Sequence, residues 1–457
     1  MIVMKFGGTS IATTEAVQRV MGIIQRFLPQ KPIVVNSAMG KTTRNLLSIA
    51  HLSETGQTEQ AKEKLQEIID YHDTLASSVL NDYEYTNAHT ILHAYFSELE
   101  KLLHGMSVLQ DLTDRSLDKF LSYGERMSTA IMAEALNQNG MAAILMDARQ
   151  FIITDDHFGQ AKPLIDETYA KIAIVILPVL KKNQIPVVQG YIGATRQGIT
   201  TTLGFEGSDL SATLLGAALQ ADDIQIWKDV PGIMTADPHL IPDTHTVRKI
   251  SFEEAGELTF FGAKVLHPSS LTPAREKNVP VHVYNSTSPD DLGTEITQTA
   301  GPCQNLIKSI AYKRDLCLIK IQGSQSQTAY DFMKSVFDIL NRSRVAPYLM
   351  TSAETQITLV VGNSIPLNRL TDDLKALGQV QVFPQKATIT LVGETAKHAP
   401  RFPQQIMTCL NEVSVELIGY GASAINFTLV VDENRIQETV HVLHTCFFDV
   451  IDPSIFS

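Results

Sequence analysis

At 457 residues the chain exceeds the size at which one hydrophobic core keeps growing, so two or three domains are expected. Apolar residues make up 44% and charged residues 19%, a balance that excludes a disordered or fibrous polymer. Forty-nine acidic side chains against 37 basic ones give a net charge of -12, which opposes non-specific binding to nucleic acid or to an anionic membrane and favours small-molecule partners. No apolar run reaches the roughly 18 residues that span a bilayer, and the first residues lack a secretion signal, so a cytoplasmic protein is expected. Cys303, Cys317, Cys409 and Cys446 form no C-x-x-C pair and are expected to pack reduced, as small apolar residues.

The first strand-like run, "IVMKF", precedes a helical pattern, and "PIVVNSAM" precedes another. Residues 57–137 then turn polar and helix-favouring, which predicts an all-helical insertion. Further strand-like runs follow in "AAILMD", "IPVVQGYIG", "DIQIWKDV" and "VPVHVY", with helical "SDLSATLLGAAL" between two of them. This alternation predicts a mostly parallel sheet covered by helices on both faces, in a domain over residues 1–295. The Pro-, Gly-, Ser- and Thr-rich stretch 287–304 marks a change of domain. Beyond it the order strand, helix, strand, strand, helix, strand occurs twice, which predicts two α+β ferredoxin-like halves at 305–385 and 386–457. The strand near 306–313 is a candidate to pair into the second half.

Lys5 stands where the first strand ends, and ligands of parallel α/β sheets bind beyond the carboxyl ends of the strands. Gly7 and Gly8 follow and let backbone amides approach an anion, so phosphate is one reading; a tight turn with a solvated lysine is the other. "SAMGKTTRN" at 37–45 is a second Gly-containing loop, and "TTTLGFEGSD" at 200–209 is a third. The third ends in Ser208 and Asp209, which also suit helix capping. "KDVPGIMTADP" adds Asp229 and Asp237, and "FGAKVLHP" adds Lys264 near a helix start, where a lysine opposes the helix dipole. No G-x-x-x-x-G-K-[ST] loop and no H-E-x-x-H pair occurs. "GYGASA" at 419–424 fits a loose dinucleotide pattern but leads into a strand, so it is not read as one.

Taken together and in order, "KFGGTS", "SAMGKTT", "YGERMST", "QGYIG", "TTTLG..GSD", "DVPGIMTADP" and "FGAKVLHP" resemble the aspartate kinases over nearly all of residues 1–295, and the duplicated tail is similar to their paired ACT domains. The resemblance implies the amino-acid kinase fold and ATP-dependent phosphorylation of the side-chain carboxylate of L-aspartate, the entry to lysine, threonine and methionine synthesis. It implies ATP and Mg2+, with Lys5 and Lys264 on the transferring phosphates and Asp209 orienting Lys5 or the metal. Glu125 would accept the ammonium of aspartate, while Ser37, Thr43 and Ser208 meet its carboxylates. Lys228, Asp229, Met234, Asp237, His239 and Val265, with Gly7 and Gly8, would line the nucleotide. A homodimer through the ACT pair, an amino-acid effector there and a single activity are also implied.

Three departures from the family pattern stand out. The usual "LGRGGSD" loop, whose arginine clamps the substrate carboxylate, here reads "LGFEGSD", with Phe205 and Glu206. Arg44, one residue more than the family's usual "SAMGKTTNLL", is either its replacement beside Thr43 or a solvated residue at a helix start. Tyr348 stands where an acidic residue would hold an effector's ammonium, so inhibition by lysine is not expected. The alternatives are a kinase for glutamate, N-acetylglutamate or a nucleoside monophosphate, and a regulatory homologue that lost turnover with the arginine.

Overall fold

The computed structural model describes residues 1–263, 266–323, 328–363, 367–411, 413–421 and 423–457. The chain forms two compact units, one of residues 1–232, 248–252 and 265–300, the other of 233–247, 253–264 and 301–457. Segments 233–247 and 253–264, expected in the first domain, therefore belong with the second unit.

In the first unit β1 (Ile2–Phe6), α1 (Thr14–Arg26) and β2 (Pro32–Asn36) lead into α2 (Thr42–Glu54), α3 (Thr58–Val79), α4 (Asp82–Leu109), α5 (Asp114–Leu121) and α6 (Tyr123–Gln138). Next come β3 (Ala143–Met146), β4 (Ile153–Thr154), α7 (Ile165–Lys181), β5 (Ile185–Gln189), β6 (Ile192–Thr195), β7 (Thr200–Thr202), α8 (Gly207–Leu219) and β8 (Asp223–Lys228). After β9 (Lys249–Ser251) the chain forms α9 (Phe252–Phe260), which but for its first residue belongs to the second unit, and the first unit closes with α10 (Pro268–Lys277), β10 (Val281–Asn285) and β11 (Thr294–Thr297).

The main sheet runs β3-β5-β2-β1-β8-β10-β11-β9, and its first six strands are parallel. Every residue of β1, β2 and β5 is buried, which is why these strands read as unbroken apolar runs. A short second sheet pairs β4, β6 and β7. The helical stretch is no appendage, because Leu65, Leu92, Phe120 and Met127 share one core with Met4, Phe6 and Val34 of the sheet. Helix α8 is buried on nearly every face and packs on β1 and beside α7 and α10. Asp118 of α5 is fully buried and accepts from the amides of Gly159 and Thr202 and from the Thr202 hydroxyl, which ties β7 to the helices.

The second unit holds β12 (Ser309–Gly323), α11 (Ala329–Arg342), β13 (Leu349–Ala353), β14 (Gln356–Gly362), α12 (Leu367–Lys375), β15 (Gly378–Val392), α13 (Phe402–Cys409), β16 (Leu417–Tyr420), β17 (Asn426–Asp432) and α14 (Ile436–Phe448). Its antiparallel sheet runs β13-β14-β12-β15-β17-β16. Strand β15 crosses position 385–386 without a loop. Its first part pairs with the far end of β12, and Thr388–Val392 pairs with Ser309–Lys313. A register shift and the positive φ of Asp315 and Gln385 bend the two long strands where the halves meet. Cys409 and Cys446 form a disulfide, correcting the expectation of four reduced thiols. Packing of α13 on α14 brings them together across 37 residues of sequence, and spacing gives no hint of that.

Among the described residues no helix is long and apolar enough to cross a membrane. A buried ion pair fixes segment 253–264 within the second unit. Lys308 Nζ lies 2.8 Å from Glu254 Oε2, and the other oxygen of Glu254 accepts from the Glu394 amide at 2.8 Å. Removing the lysine strands a buried carboxylate, so Lys308→Met is expected to cost about 3–5 kcal/mol in urea unfolding. A loss below about 1 kcal/mol would show that the pair is not the anchor.

Candidate active site

Four parallel strands end side by side. Phe6 at the end of β1 lies opposite Asn36 and Trp227, and Asn36 lies opposite Gln189. The loops leave in register, since the amides of Gly7, Ser37 and Gly190 donate to the carbonyls of Trp227, Phe6 and Asn36 at 3.0, 3.1 and 2.9 Å. A side chain at Gly8 would come within 2.5 Å of the Ala38 carbonyl, so glycine there is what lets the β1 and β2 loops touch. Gly7 has ordinary clearance, its nearest neighbour being Trp227 O at 3.5 Å.

A charge cluster sits over these ends. Asp209, in the first turn of α8 and only 2% exposed, takes Lys5 Nζ on one carboxylate oxygen at 2.6 Å and Lys228 Nζ on the other at 3.0 Å. Glu206 lies 4.0 Å from Lys228. Burial pushes the Asp209 carboxyl up, but Lys228 and Lys5 together hold it below the ordinary carboxylate value. Burial lowers Lys5, and Asp209 only partly opposes that shift. Lys228 is also pressed down by burial, yet the carboxylates of Asp209 and Glu206 hold it above the usual lysine value. Burial raises Glu206 against the pull of Lys228.

Glu125 stands in the first turn of α6, 3% exposed, with Oε1 accepting from the Ala38 amide at 3.2 Å. Its other oxygen is buried without a hydrogen-bond partner. Burial pushes this carboxyl up to about 8, opposed by the Ala38 amide and, least of all, by Lys5. Ser128 of α6 donates to the Ser37 carbonyl at 2.7 Å, so the second loop and α6 are joined at two points. The Thr43 hydroxyl lies beside Gly124, and Ser208 lies against Gly190. Glu125, Ser37 and Thr43 therefore gather at one end of the strand row, and Lys5, Asp209 and Lys228 at its middle.

The other predicted residues have surroundings of their own. Arg44 is exposed on the first turn of α2 and makes no contact with this group, because the helix turns its side chain outward. Phe205 is 81% exposed with its ring edge-on to His267. Asp229 is exposed just past β8. Met234, Asp237 and His239 belong to the second unit. There the Met234 carbonyl accepts from the Ser309 hydroxyl, and Asp237 accepts from the Tyr312 hydroxyl and the His239 amide. Lys264 and Val265 lie outside the described residues. Sequence reasoning missed the Glu206–Lys228 pair, Asp118, and Tyr191, whose hydroxyl burial pushes up to about 12 beside Thr202 and Glu125. Only the "GYIG" turn, where Tyr191 has φ 70°, carried a local signal.

Residues 1–285 match the amino acid kinase family and residues 389–447 the ACT domain. Aspartokinase 2, chloroplastic, of Arabidopsis thaliana is 34% identical over 469 residues, which cover 99% of this chain and 85% of that relative. The chain belongs to the aspartokinase family. Lysine-sensitive aspartokinase 3 of Escherichia coli (strain K12) is 31% identical over 98% of this chain and 99% of its own length. The crystal structure of E. coli aspartokinase III in complex with aspartate and ADP aligns with a TM-score of 0.87 at 30% identity, over 98% of this chain and 100% of that one. An aspartokinase transfers a phosphoryl group to the side-chain carboxylate of aspartate, so these relatives do not favour the glutamate-type or inactive alternatives.

The Glu125 carboxyl links the site to stability. Between 4.5 and about 8 the unfolded chain carries this carboxylate ionised while the native chain holds it protonated, so rising pH favours unfolding through that window. Glu125→Gln is expected to flatten the fall of Tm across that range and to melt above the parent chain at its upper end. Parallel Tm curves for the two proteins would contradict a protonated Glu125.

Proposed function

We propose that Lys5, Asp209 and Glu125 divide the aspartokinase reaction between them. ATP and aspartate are both anions, so the protein's task is to bring a carboxylate up to a terminal phosphate and to answer the charge spread over the transferring group. Lys5 donates to that phosphoryl group, and Asp209 keeps its buried ammonium charged and aimed. The amides after β1, at Gly7 and Gly8, approach the phosphates. Glu125 takes the ammonium of L-aspartate, while Ser37, Thr43 and Ser208 donate to its carboxylates. Lys264 and Val265 remain the contacts assigned from the sequence to the far side of ATP. The observation that carries this reading is the pairing of a buried ammonium, held by Asp209, with a buried carboxylate oxygen on Glu125 that has no protein partner.

Both oxygens of Asp209 are already held by ammonium groups, at 2.6 and 3.0 Å, and Glu206 faces Lys228, so these carboxylates do not fit Mg2+ as ligands and the ion would be carried by the ATP phosphates. The ion, when bound, would neutralise phosphate charge. In the second unit Tyr348 lies under Lys313 Nζ, 4.0 Å from the ring centroid, so a lysine side chain of the protein already occupies the face where an effector's ammonium would seek an anion. The relative named lysine-sensitive thus differs from this chain in its expected response. A homodimer through the outer strands of the antiparallel sheet completes the proposal.

A coupled assay with aspartate, ATP and magnesium tests it. The parent chain is expected to turn over aspartate in preference to glutamate and to be unaffected by added lysine. Lys5→Ala should lower kcat by about 10²–10³-fold, the loss usual for one charge-stabilising donor. Equal rates with glutamate, or an active Lys5→Ala, would refute the reading.

A further inference from the structure

Two of the cysteines are bonded to each other across a helix pair of the second unit. Cys409 ends α13 and Cys446 stands in the last turn of α14; both are half-buried, so a thiol reagent in solution reaches the bond. Their Cα atoms are 6.4 Å apart, within the span a disulfide bridges. The doubled architecture supplies an internal comparison. In the first half α11 and α12 pack through Val336, Ile339, Leu340, Leu370 and Leu374, and neither helix contains a cysteine. Helices α13 and α14 have the same means, since Phe402, Ile406, Val440 and Leu443 are buried and the rings of Phe402 and Phe447 meet at 5.8 Å. Apolar packing seats such a pair by itself, so the covalent tie serves a further end.

The rest of α14 shows what the tie governs. Two residues before Cys446, the buried His444 has Nε2 at 2.9 Å from Thr235 Oγ1. Burial, with His245 and His441 nearby, holds this ring down to about 4, so it is neutral and the contact is insensitive to pH near 7. One residue after Cys446, the Phe447 carbonyl accepts from Asn305 at 3.0 Å. The ring of Phe448 meets Phe456 at 5.8 Å, and Thr246 and Ser457 exchange amide-to-carbonyl hydrogen bonds at 2.9 and 3.0 Å. Segment 233–247 is thus clasped by the end of α14 and by the tail that follows it. The same segment starts five positions after Lys228, where β8 ends, and it carries Met234, Asp237 and His239, assigned from the sequence to the nucleotide.

We propose that Cys409 and Cys446 are a reversible thiol–disulfide site, opened by dithiols, whose state is passed through α14 and segment 233–247 to nucleotide binding. In the opening step a thiolate of the dithiol attacks one sulfur of the bridge and forms a mixed disulfide. The second thiol of the reagent then closes a disulfide within the reagent and expels the protein sulfur. Two electrons and two protons pass to the chain, which gains two thiols, and the dithiol leaves oxidised. Without the bond the eight-residue α13 no longer braces α14, and the end of α14 is less firmly held where His444 meets Thr235. The last step, from segment 233–247 to the nucleotide, rests on the aspartokinase reading; the redox step does not.

Thiol counts on full-length protein, treated while folded with dithiothreitol or with oxidised glutathione, test the site, and the ADP Kd and KM values in each state test its effect. Four thiols are expected after dithiothreitol and two after oxidised glutathione. The ADP Kd and the KM for ATP should be about 2- to 10-fold higher in the reduced state, as for one weakened hydrogen bond. The KM for aspartate should stay within about twofold. Cys409→Ser and Cys446→Ser should each bind ADP like the reduced parent under either treatment, whereas Cys303→Ser should respond as the parent does. His444→Phe should keep the bridge but lose its effect on ADP, a result that a merely stabilising bond would not give. A bridge that dithiothreitol opens only in denaturant, or an ADP Kd equal in the two states, overturns the inference. Should the serine variants fail to fold, the parent alkylated with iodoacetamide after reduction gives the same reading. If the parent binds ADP but does not phosphorylate aspartate, the reaction assigned above fails while the thiol counts and the ADP Kd still judge the redox site.

Discussion

A carboxylate buried between two ammonium groups is the constraint on which the first unit depends. Taking three charges out of water is expensive, and the arrangement survives only where each has a partner at contact distance. Asp209 meets that condition from both oxygens, at 2.6 and 3.0 Å. Its place in the first turn of α8 adds the favourable end of the helix dipole. The surrounding architecture follows. Helix α8 must lie directly over β1, so it is buried on nearly all faces and built of Ser, Ala, Gly and Leu. Strands β1 and β8 must be parallel neighbours in one register, so that Lys5 and the residue after Trp227 reach the same carboxylate.

Two buried acids in one site are pushed in opposite directions, and that separation assigns their roles. Asp209 has cations against it and stays ionised below the ordinary carboxylate range. Glu125 is buried with the Ala38 amide on one oxygen, and burial lifts it to about 8. The first is an anion before any ligand arrives, fit to orient lysines. The second is neutral until a cation reaches it, fit to bind an ammonium with little competition from the protein's own lysines. Both costs are borne by a scaffold whose fully buried strands supply the compensating apolar burial.

Local chemistry was legible in the sequence; pairing across distance was not. Lys5 could be placed at a strand end because "IVMKFGG" contains the strand, its charge and its turn within seven residues. The helical stretch, the parallel core and the doubled strand, helix, strand, strand, helix order were legible for the same reason, but among the described residues no strand follows α14 to close the second half as it does the first. The Glu206–Lys228 pair joins two strand-end loops 22 positions apart, so each residue alone looked like a departure from the family pattern, Glu206 a repulsive one. Arg44 is exposed in the first turn of α2, in line with the reading of it as a solvated residue at a helix start. Met234, Asp237 and His239 follow β8 in sequence, yet the Thr235 carbonyl accepts from the Ile310 amide, so long-range pairing assigns that segment to the second unit. A bulge at Pro384 and Gln385, in place of a turn, hid the continuity of β15.

The pH dependence of kcat in Asp209→Asn tests most directly whether that buried carboxylate keeps the Lys5 ammonium charged for phosphoryl transfer. Burial already lowers Lys5, and losing Asp209 removes the largest opposing pull, so the alkaline fall in kcat should move to lower pH by about one unit or more. An alkaline limb that stays where it is in the parent chain, with the whole profile merely scaled down, would contradict the account.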